Sequence, residues 1–254
     1  MVKSVLITGG NRGIGLEFAR QFLTQKVLNF EKIIVTCRDP LVATELNELK
    51  NVYPTQLHII KLDVTEWDTY DNLVKNLEKI VGVNCGLTLL INNAGILQDK
   101  QDLHDLDPKC MIEEFKVNCI APILLSKSFL PLLRTASQNS VTSGMSMTRA
   151  GIVNISSDWG SIKERETSEW GSLYPYRCSK NALNMGMKNL AIDLKRDGIM
   201  VTSLHPGWVK TDMGGPDGEL TPEQSVLMML KTMSNMSEED NGTFVQFNGT
   251  SLPW

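Results

Sequence analysis

Nothing that would mark a membrane span, a metal cluster or a nucleic-acid face is concentrated in this 254-residue chain. No apolar stretch approaches the roughly 20 residues that a spanning helix needs. Five cysteines (Cys37, Cys85, Cys110, Cys119 and Cys178) are scattered without C-x-x-C spacing, an odd count that fits reduced thiols in the cytoplasm. His58, His104 and His205 lie far apart without ligand spacing, so no metal is expected. A net charge of -4 with no Lys/Arg block leaves no electrostatic footprint for nucleic acid. The N-terminus carries one lysine and an apolar run of strand length, which does not read as a signal peptide.

What is present is an alternation. Short β-branched runs at Ser4–Thr8, Lys32–Cys37, Leu57–Leu62, Thr88–Asn92, Gly151–Ser156, Met200–Leu204 and Thr243–Phe247 read as strands. Helical patterns lie between them near 14–27, 40–50, 66–80, 109–134, 175–196 and 222–235. Strands separated by helices imply βαβ units, and hence a parallel sheet covered on both faces. The expectation is one doubly wound α/β domain over 1–254, with a mostly parallel seven-stranded sheet. Its cofactor half would span about 1–150 and its catalytic and substrate half about 151–254. The Ser-, Thr- and Asn-rich stretch 137–149 reads as a solvated surface loop.

After the first strand come Gly9, Asn11, Arg12, Gly13, Ile14 and Gly15, spaced G-x-x-x-G-x-G and opening a helix. Glycines let the backbone turn tightly and bring N–H groups up to a phosphate, and the helix N-terminus points there too. Ligands in such sheets bind at the carboxyl ends of the strands. That rule gathers Arg38-Asp39, Asp63-Val64, Asn92-Asn93-Ala94-Gly95, Ser156-Ser157 and His205-Pro206-Gly207 at the same edge. No Gly-Lys-Ser/Thr follows the glycines, which excludes a P-loop nucleotidase.

Tyr176 and Lys180 sit four residues apart just after Pro175, on one face of an expected helix start. A free tyrosine titrates near ~10, and a neighbouring ammonium would lower that value. The pair could therefore donate a proton to a carbonyl oxygen as hydride reaches the carbon, or remove it in reverse. Pro122 lacks the N–H that the carbonyl of Asn118 would use in an α-helix. Either that carbonyl is released at a kink, open to a water, or Pro122 only bends the helix over the sheet.

With these motifs in order, the chain resembles the short-chain dehydrogenases/reductases. The resemblance rests on Thr8–Gly15, Asp63-Val64, Asn92–Gly95, Asn118, Ser157, Tyr176-x-x-x-Lys180 and Pro206-Gly207. Within that family it is most similar to the Sniffer-type carbonyl reductases, a group also similar to bacterial C-factor proteins. The narrower likeness lies in Tyr174-x-Tyr176-Arg177, Leu204 to Gly215, and the ending from Phe247-Asn248-Gly249 to Pro253-Trp254. The resemblance implies a Rossmann fold, with Tyr176 as the acid/base. It further implies that Lys180 holds the nicotinamide ribose, Ser157 binds the substrate carbonyl, and Asn118 anchors a water-linked proton path. Ser156 is the rival to Ser157, because strand alternation points the two to opposite sides.

For the nucleotide, Arg12 and Arg38 suit a 2′-phosphate through charge-assisted hydrogen bonds, which favours NADP(H). Asp39 dissents, since a carboxylate there could accept from a free ribose. The resemblance places adenine against Asp63 and Val64, although Asp63 could instead cap a helix with Glu66 as its capping-box partner. Asn92, Ala94 and Gly95 would close the strand-four end of the cleft, or form a plain strand-to-helix turn. Pro206, Gly207, Val209 and Thr211 would line its nicotinamide end, Thr211 contacting the amide or merely capping a turn.

Substrate contacts are expected from Trp159, Trp170, Trp208 and Met213 in the loops around 158–174 and 208–221. Gly214, Gly215 and Gly218 with Pro216 and Pro222 suggest a lid that orders on binding. The expected activity is NADPH-dependent reduction of aldehydes, ketones or quinones, with a small-molecule partner, no nucleic acid or membrane, and a possible homodimer. Two alternatives stay open: an NADP-linked alcohol or hydroxysteroid dehydrogenase acting oxidatively, and a non-catalytic NADP(H)-sensing protein.

Overall fold

The computed structural model describes residues 3–25, 27–82, 84–98, 102–166 and 171–254. Seven strands form one sheet: β1 (Ser4–Thr8), β2 (Lys32–Cys37), β3 (Leu57–Lys61), β4 (Leu89–Asn92), β5 (Gly151–Ile155), β6 (Met200–His205) and β7 (Phe244–Gln246). Their order is β3-β2-β1-β4-β5-β6-β7, and every pairing is parallel. The sheet is thus wholly parallel rather than mostly so. The chain reverses direction across the sheet between β1 and β4, which opens a crevice at their carboxyl ends. Strands β1 and β5 are buried at every position, as expected where helices cover both faces.

Helices α1 (Gly13–Thr24), α2 (Thr44–Val52) and α8 (Pro222–Asn235) contribute to the core on one face, with Phe18, Phe22, Leu46, Met229 and Leu230. On the other face lie α3 (Tyr70–Val81), α4 (Pro108–Phe115), α5 (Ala121–Asn139) and α7 (Tyr174–Leu194). A short α6 (Ile162–Arg165) precedes α7. Helix α3 shows the governing pattern: Tyr70, Leu73, Leu77 and Val81 recur at helical spacing, and all are buried. Pro222 begins α8 and Pro175 stands in the first turn of α7, and Thr221 and Gln224 close a capping box on α8.

Three expectations change. The helix read as continuous over 109–134 is broken by a π-helical turn at Lys116–Ile120, where the Ala121 N–H donates to the Lys116 carbonyl. Pro122 cannot donate in the α register, and the turn takes up one extra residue just ahead of it. The irregularity is therefore a local bulge that leaves α5 running on to Asn139.

The run Pro108–Asn139 is also long and apolar enough, by length and composition, to cross a membrane, which corrects the expectation that no stretch approaches that; half of its apolar window is buried inside the fold. Its apolar side supplies Leu125, Phe129, Leu132 and Leu133 to the core over the sheet. Finally, the 137–149 stretch is not wholly solvated. Residues 137–139 end α5, and Met145 and Met147 reach the core, giving an otherwise polar loop an apolar anchor.

Candidate active site

The glycine turn is shaped by close approach. Gly9 has φ +67, and a Cβ there would lie 2.9 Å from the Cα of Ala94; a Cβ on Gly15 would run into the carbonyl of Gly9. Side chains are therefore excluded where β1 and β4 open, and the bare backbone forms a cradle. Asn93 fastens the two strand ends: its Nδ2 donates to the carbonyls of Thr8 at 2.8 Å and Gly9 at 3.1 Å. The Thr8 hydroxyl accepts from the N–H groups of Asn93 and Ala94. Asn92 corrects its expected role, because its side chain turns under the sheet to the Asn154 Oδ1 (2.8 Å), away from the cleft. Period-2 alternation sends consecutive residues to opposite sides, so Asn93 faces the turn and Asn92 the core.

Arg12 and Arg38 both stand exposed at the ends of β1 and β2. Arg12 pairs with Asp212 at 2.6 Å, their side chains 66% and 75% exposed. Asp39 accepts from the Leu41 N–H at 3.0 Å, capping the 3-10 turn Pro40–Val42. Asp63 accepts from the N–H and hydroxyl of Thr65, so the capping box with Glu66 does not form. Burial pushes its carboxyl up, but the Thr65 hydrogen bonds and the Arg38 charge hold it below the usual carboxylate range. Val64 is buried in the core, and its carbonyl accepts from the Tyr70 hydroxyl at 2.6 Å.

The loop after β6 folds back on the turn. A Cβ on Gly13 would lie 3.3 Å from Thr211 Cγ2, and Thr211 caps a turn by accepting from the Gly214 N–H. Gly207 takes φ +81 where a Cβ would meet Leu220 and Phe247, and the Pro206 carbonyl accepts from Ser225. Val209 is buried, its loop held where the Lys210 N–H donates to the Leu220 carbonyl. Asn11 and Ile14 flank the turn, Asn11 exposed and Ile14 half-buried.

At the other end of the cleft the side chains are buried. Tyr176 is 8% and Lys180 4% exposed. Lys180 Nζ donates to the Ile155 carbonyl at 2.9 Å and lies 5.6 Å from the Tyr176 ring centre. Asn118 clasps the backbone of Ile96, accepting its N–H at 2.9 Å and donating to its carbonyl at 2.8 Å. It also donates to Ser179 Oγ. Ser156 turns inward to Asn184 Oδ1 at 2.7 Å, whereas the Ser157 hydroxyl donates to Asp158 Oδ1 at 3.0 Å, accepts the Trp159 N–H at 3.1 Å and acts on the Tyr176 phenol. The alternation that left two serines in competition thus assigns them to different faces.

The electrostatics reverse one expectation. Burial pushes the Tyr176 phenol well above its ordinary value; the Ser157 hydrogen bond opposes this, and Asp158 and Glu114 add to it. The Lys180 ammonium donates to the Ile155 carbonyl and is itself desolvated. Burial brings Lys180 down to about 8, with Glu114 and Cys119 acting the other way. At neutral pH the arrangement is a protonated phenol beside a mostly charged ammonium, suited to giving a proton rather than taking one.

Trp159 packs edge-on against Tyr176 (centroids 6.0 Å), with the Arg177 guanidinium 5.0 Å above its ring. Trp208 and Met213 are partly exposed on the loop after β6. Trp170 lies outside the described residues. His205, gathered at the cleft edge by the sequence, accepts the Asp158 N–H on its Nδ1 at 3.3 Å. Two groups escaped the sequence reading: Asp158, whose Oδ1 accepts from Ser157, and Glu114, whose carboxyl is buried near Lys180. Only Glu114 carried a signal in the sequence, its place four residues before Asn118. No group of three or more metal-binding side chains occurs among the described residues.

The sequence profile of the short chain dehydrogenases matches residues 3–220. The chain is 38% identical to the carbonyl reductase Sniffer of D. melanogaster, with a TM-score of 0.94 and 100% of both chains covered. It is 41% identical to an NADPH-bound carbonyl reductase from chicken fatty liver, TM-score 0.93, covering 100% of this chain and 99% of that one. An uncharacterized oxidoreductase of Schizosaccharomyces pombe is 29% identical over 98% of this chain and 96% of its own length.

Proposed function

Because the chain belongs to the short-chain dehydrogenase family, we propose that it is an NADPH-dependent carbonyl reductase, acting on aldehydes, ketones or quinones with Tyr176 as proton donor. The observation that carries this reading is the buried Tyr176 with the Lys180 ammonium 5.6 Å from its ring and Ser157 at the end of β5 beside them. The chicken and fly carbonyl reductases are similar over essentially the whole chain, which supports the same substrate class.

The residues present fit a dinucleotide, since the cradle at Gly9 and Gly15 is one that a Cβ would fill. Gly9, Asn11, Arg12, Gly13, Ile14 and Gly15 would hold the pyrophosphate, with Arg12 and Arg38 on a 2′-phosphate. Asp39 is occupied as a turn cap, which supports the phosphate over a free ribose. Asp63 and Val64 would flank the adenine; Ala94, Gly95, Lys180, Pro206, Gly207, Val209 and Thr211 the nicotinamide half. A reduced nicotinamide supplies hydride when bound.

Ser157 orients the substrate carbonyl, and the Tyr176 O–H bond breaks to give its proton to the carbonyl oxygen, leaving an alcohol. Tyr176 regains a proton from solvent through Lys180 and the path that Asn118 anchors. Trp159, Trp208 and Met213 form the apolar side of the substrate pocket. Exposed Ile112, Ile120, Met185 and Ile192 on the α4–α5 and α7 surfaces support a homodimer.

The test is NADPH oxidation followed at 340 nm over a panel of aldehydes, ketones and quinones, with Tyr176→Phe as control. The reading expects turnover by the native protein and a loss of about 10²–10⁴-fold in the variant. Turnover that survives Tyr176→Phe would refute the assigned donor.

A further inference from the structure

Glu114 is 1% exposed on α4, one helical turn before Asn118. Its Oε1 accepts the Gln98 N–H at 2.9 Å, and its Oε2 has no hydrogen-bond partner among the described residues. A buried carboxylate with an idle oxygen is costly unless a cation compensates it. The segment from Gly95 to Gln98 brings such a cation close. A Cβ on Gly95 would lie 3.6 Å from Lys180 Nζ and 3.3 Å from Asn118 Oδ1, and the next residues bond Asn118 and then Glu114. One short stretch of backbone therefore gathers an amide, an ammonium and a carboxylate out of water. Helix α4 packs closely on α7, which carries both Tyr176 and Lys180.

We propose that Glu114 is a positioning residue for the reduction: its buried carboxylate holds Lys180 in place as an ammonium beside Tyr176. Burial raises the Glu114 carboxyl, and the Gln98 N–H and the Lys180 charge oppose that rise. Glu114 in turn is the first influence sustaining the Lys180 charge against burial. The other titratable groups acting there are few. Cys119 on the π-turn acts on Lys180, His205 on β6 feels both Lys180 and Asp158, and Asp158 acts on Tyr176. Glu113, on the exposed side, bonds the Gln98 side chain instead.

The activity arm of the test rests on the carbonyl-reductase reading; the spectroscopic arm does not. Glu114→Gln keeps an acceptor for the Gln98 N–H and removes only the charge. Lys180 is titrated by NMR of protein carrying lysine labelled with ¹³C at Cε, its signal assigned by loss in Lys180→Met. The native midpoint is expected near about 8, and in Glu114→Gln lower by about one unit. The alkaline limb of NADPH-linked benzaldehyde reduction should move down with it. An unmoved Lys180 midpoint would overturn the proposal, leaving Glu114 a simple cap on Gln98. Should Glu114→Gln not fold, the coupling is read from the other side: in Lys180→Met the Glu114 carboxyl, followed by ¹³C NMR, should titrate higher than in the native protein, and an unmoved value overturns the proposal. If the native protein reduces no carbonyl compound, the function fails, and the NMR midpoint still judges Glu114.

Discussion

The two ends of the cleft are built on opposite principles. At the ends of β1 and β2 the candidate phosphate ligands Arg12 and Arg38 project into solvent, and Arg12 reaches a surface partner, Asp212. At the ends of β5 and α7 the chemistry lies out of water, where Tyr176, Lys180, Asn118 and Glu114 are each at most 8% exposed. Solvated guanidinium groups add selectivity at little cost to folding, because exposed ion pairs are worth about 0–1 kcal/mol. Buried groups work differently. Desolvation shifts their proton affinities, and the surrounding fold must hold charges that it would otherwise expel.

Substitutions at the two ends should therefore separate. Tyr176→Phe sharpens the contrast most: turnover should fall by about 10²–10⁴-fold with the NADPH dissociation constant nearly unchanged by fluorescence titration. At the solvated end, Arg38→Asp should lose about 10–100-fold of NADPH preference over NADH while keeping turnover, as one charge-assisted phosphate contact would imply. If Arg38→Asp left the preference intact, the 2′-phosphate assignment would be wrong and the two ends would not divide the work.

The buried end should also show in pH dependence. The folded Lys180 value is depressed from 10.5 to about 8, so the charged form is disfavoured in the fold. Reduction should decline as pH rises through about 8, while this group's penalty on stability is relieved between that pH and its ordinary value. Lys180→Met should accordingly abolish most activity yet leave the neutral-pH Tm unchanged or higher by about 2–4 °C, read by calorimetry. A lower Tm would show that the bond to Ile155 outweighs the desolvation. Asp212→Asn, which frees Arg12, should be the mildest change, altering NADPH affinity by at most about 5-fold.

Legibility in the sequence followed the same divide. Strand positions and the cleft-edge residues could be read because apolar runs and glycine spacing are local properties, and strands ended within a residue of expectation. Alternation separates Ser157 from Ser156, and the same rule, applied one strand over, would have set Asn92 apart from Asn93. The π-turn was half-legible: Pro122 announced a defect, but whether a helix kinks or widens depends on what it packs against. Glu114 was not legible as buried. It stands beside Glu113 between Met111-Ile112 and Phe115, and the packing of α4 on α7 sends one inward and leaves the other exposed. The Tyr176 shift was misjudged for a similar reason, since spacing shows that Lys180 is near but not how dry the pair is.

One measurement bears most directly on this division: NADPH binding and single-turnover NADPH oxidation followed together, on the native protein and on Tyr176→Phe. The account predicts that both bind NADPH with similar affinity and that only the native protein transfers hydride to a carbonyl substrate at an appreciable rate. Equal rates in the two proteins, or a native protein that does not bind NADPH, would contradict it.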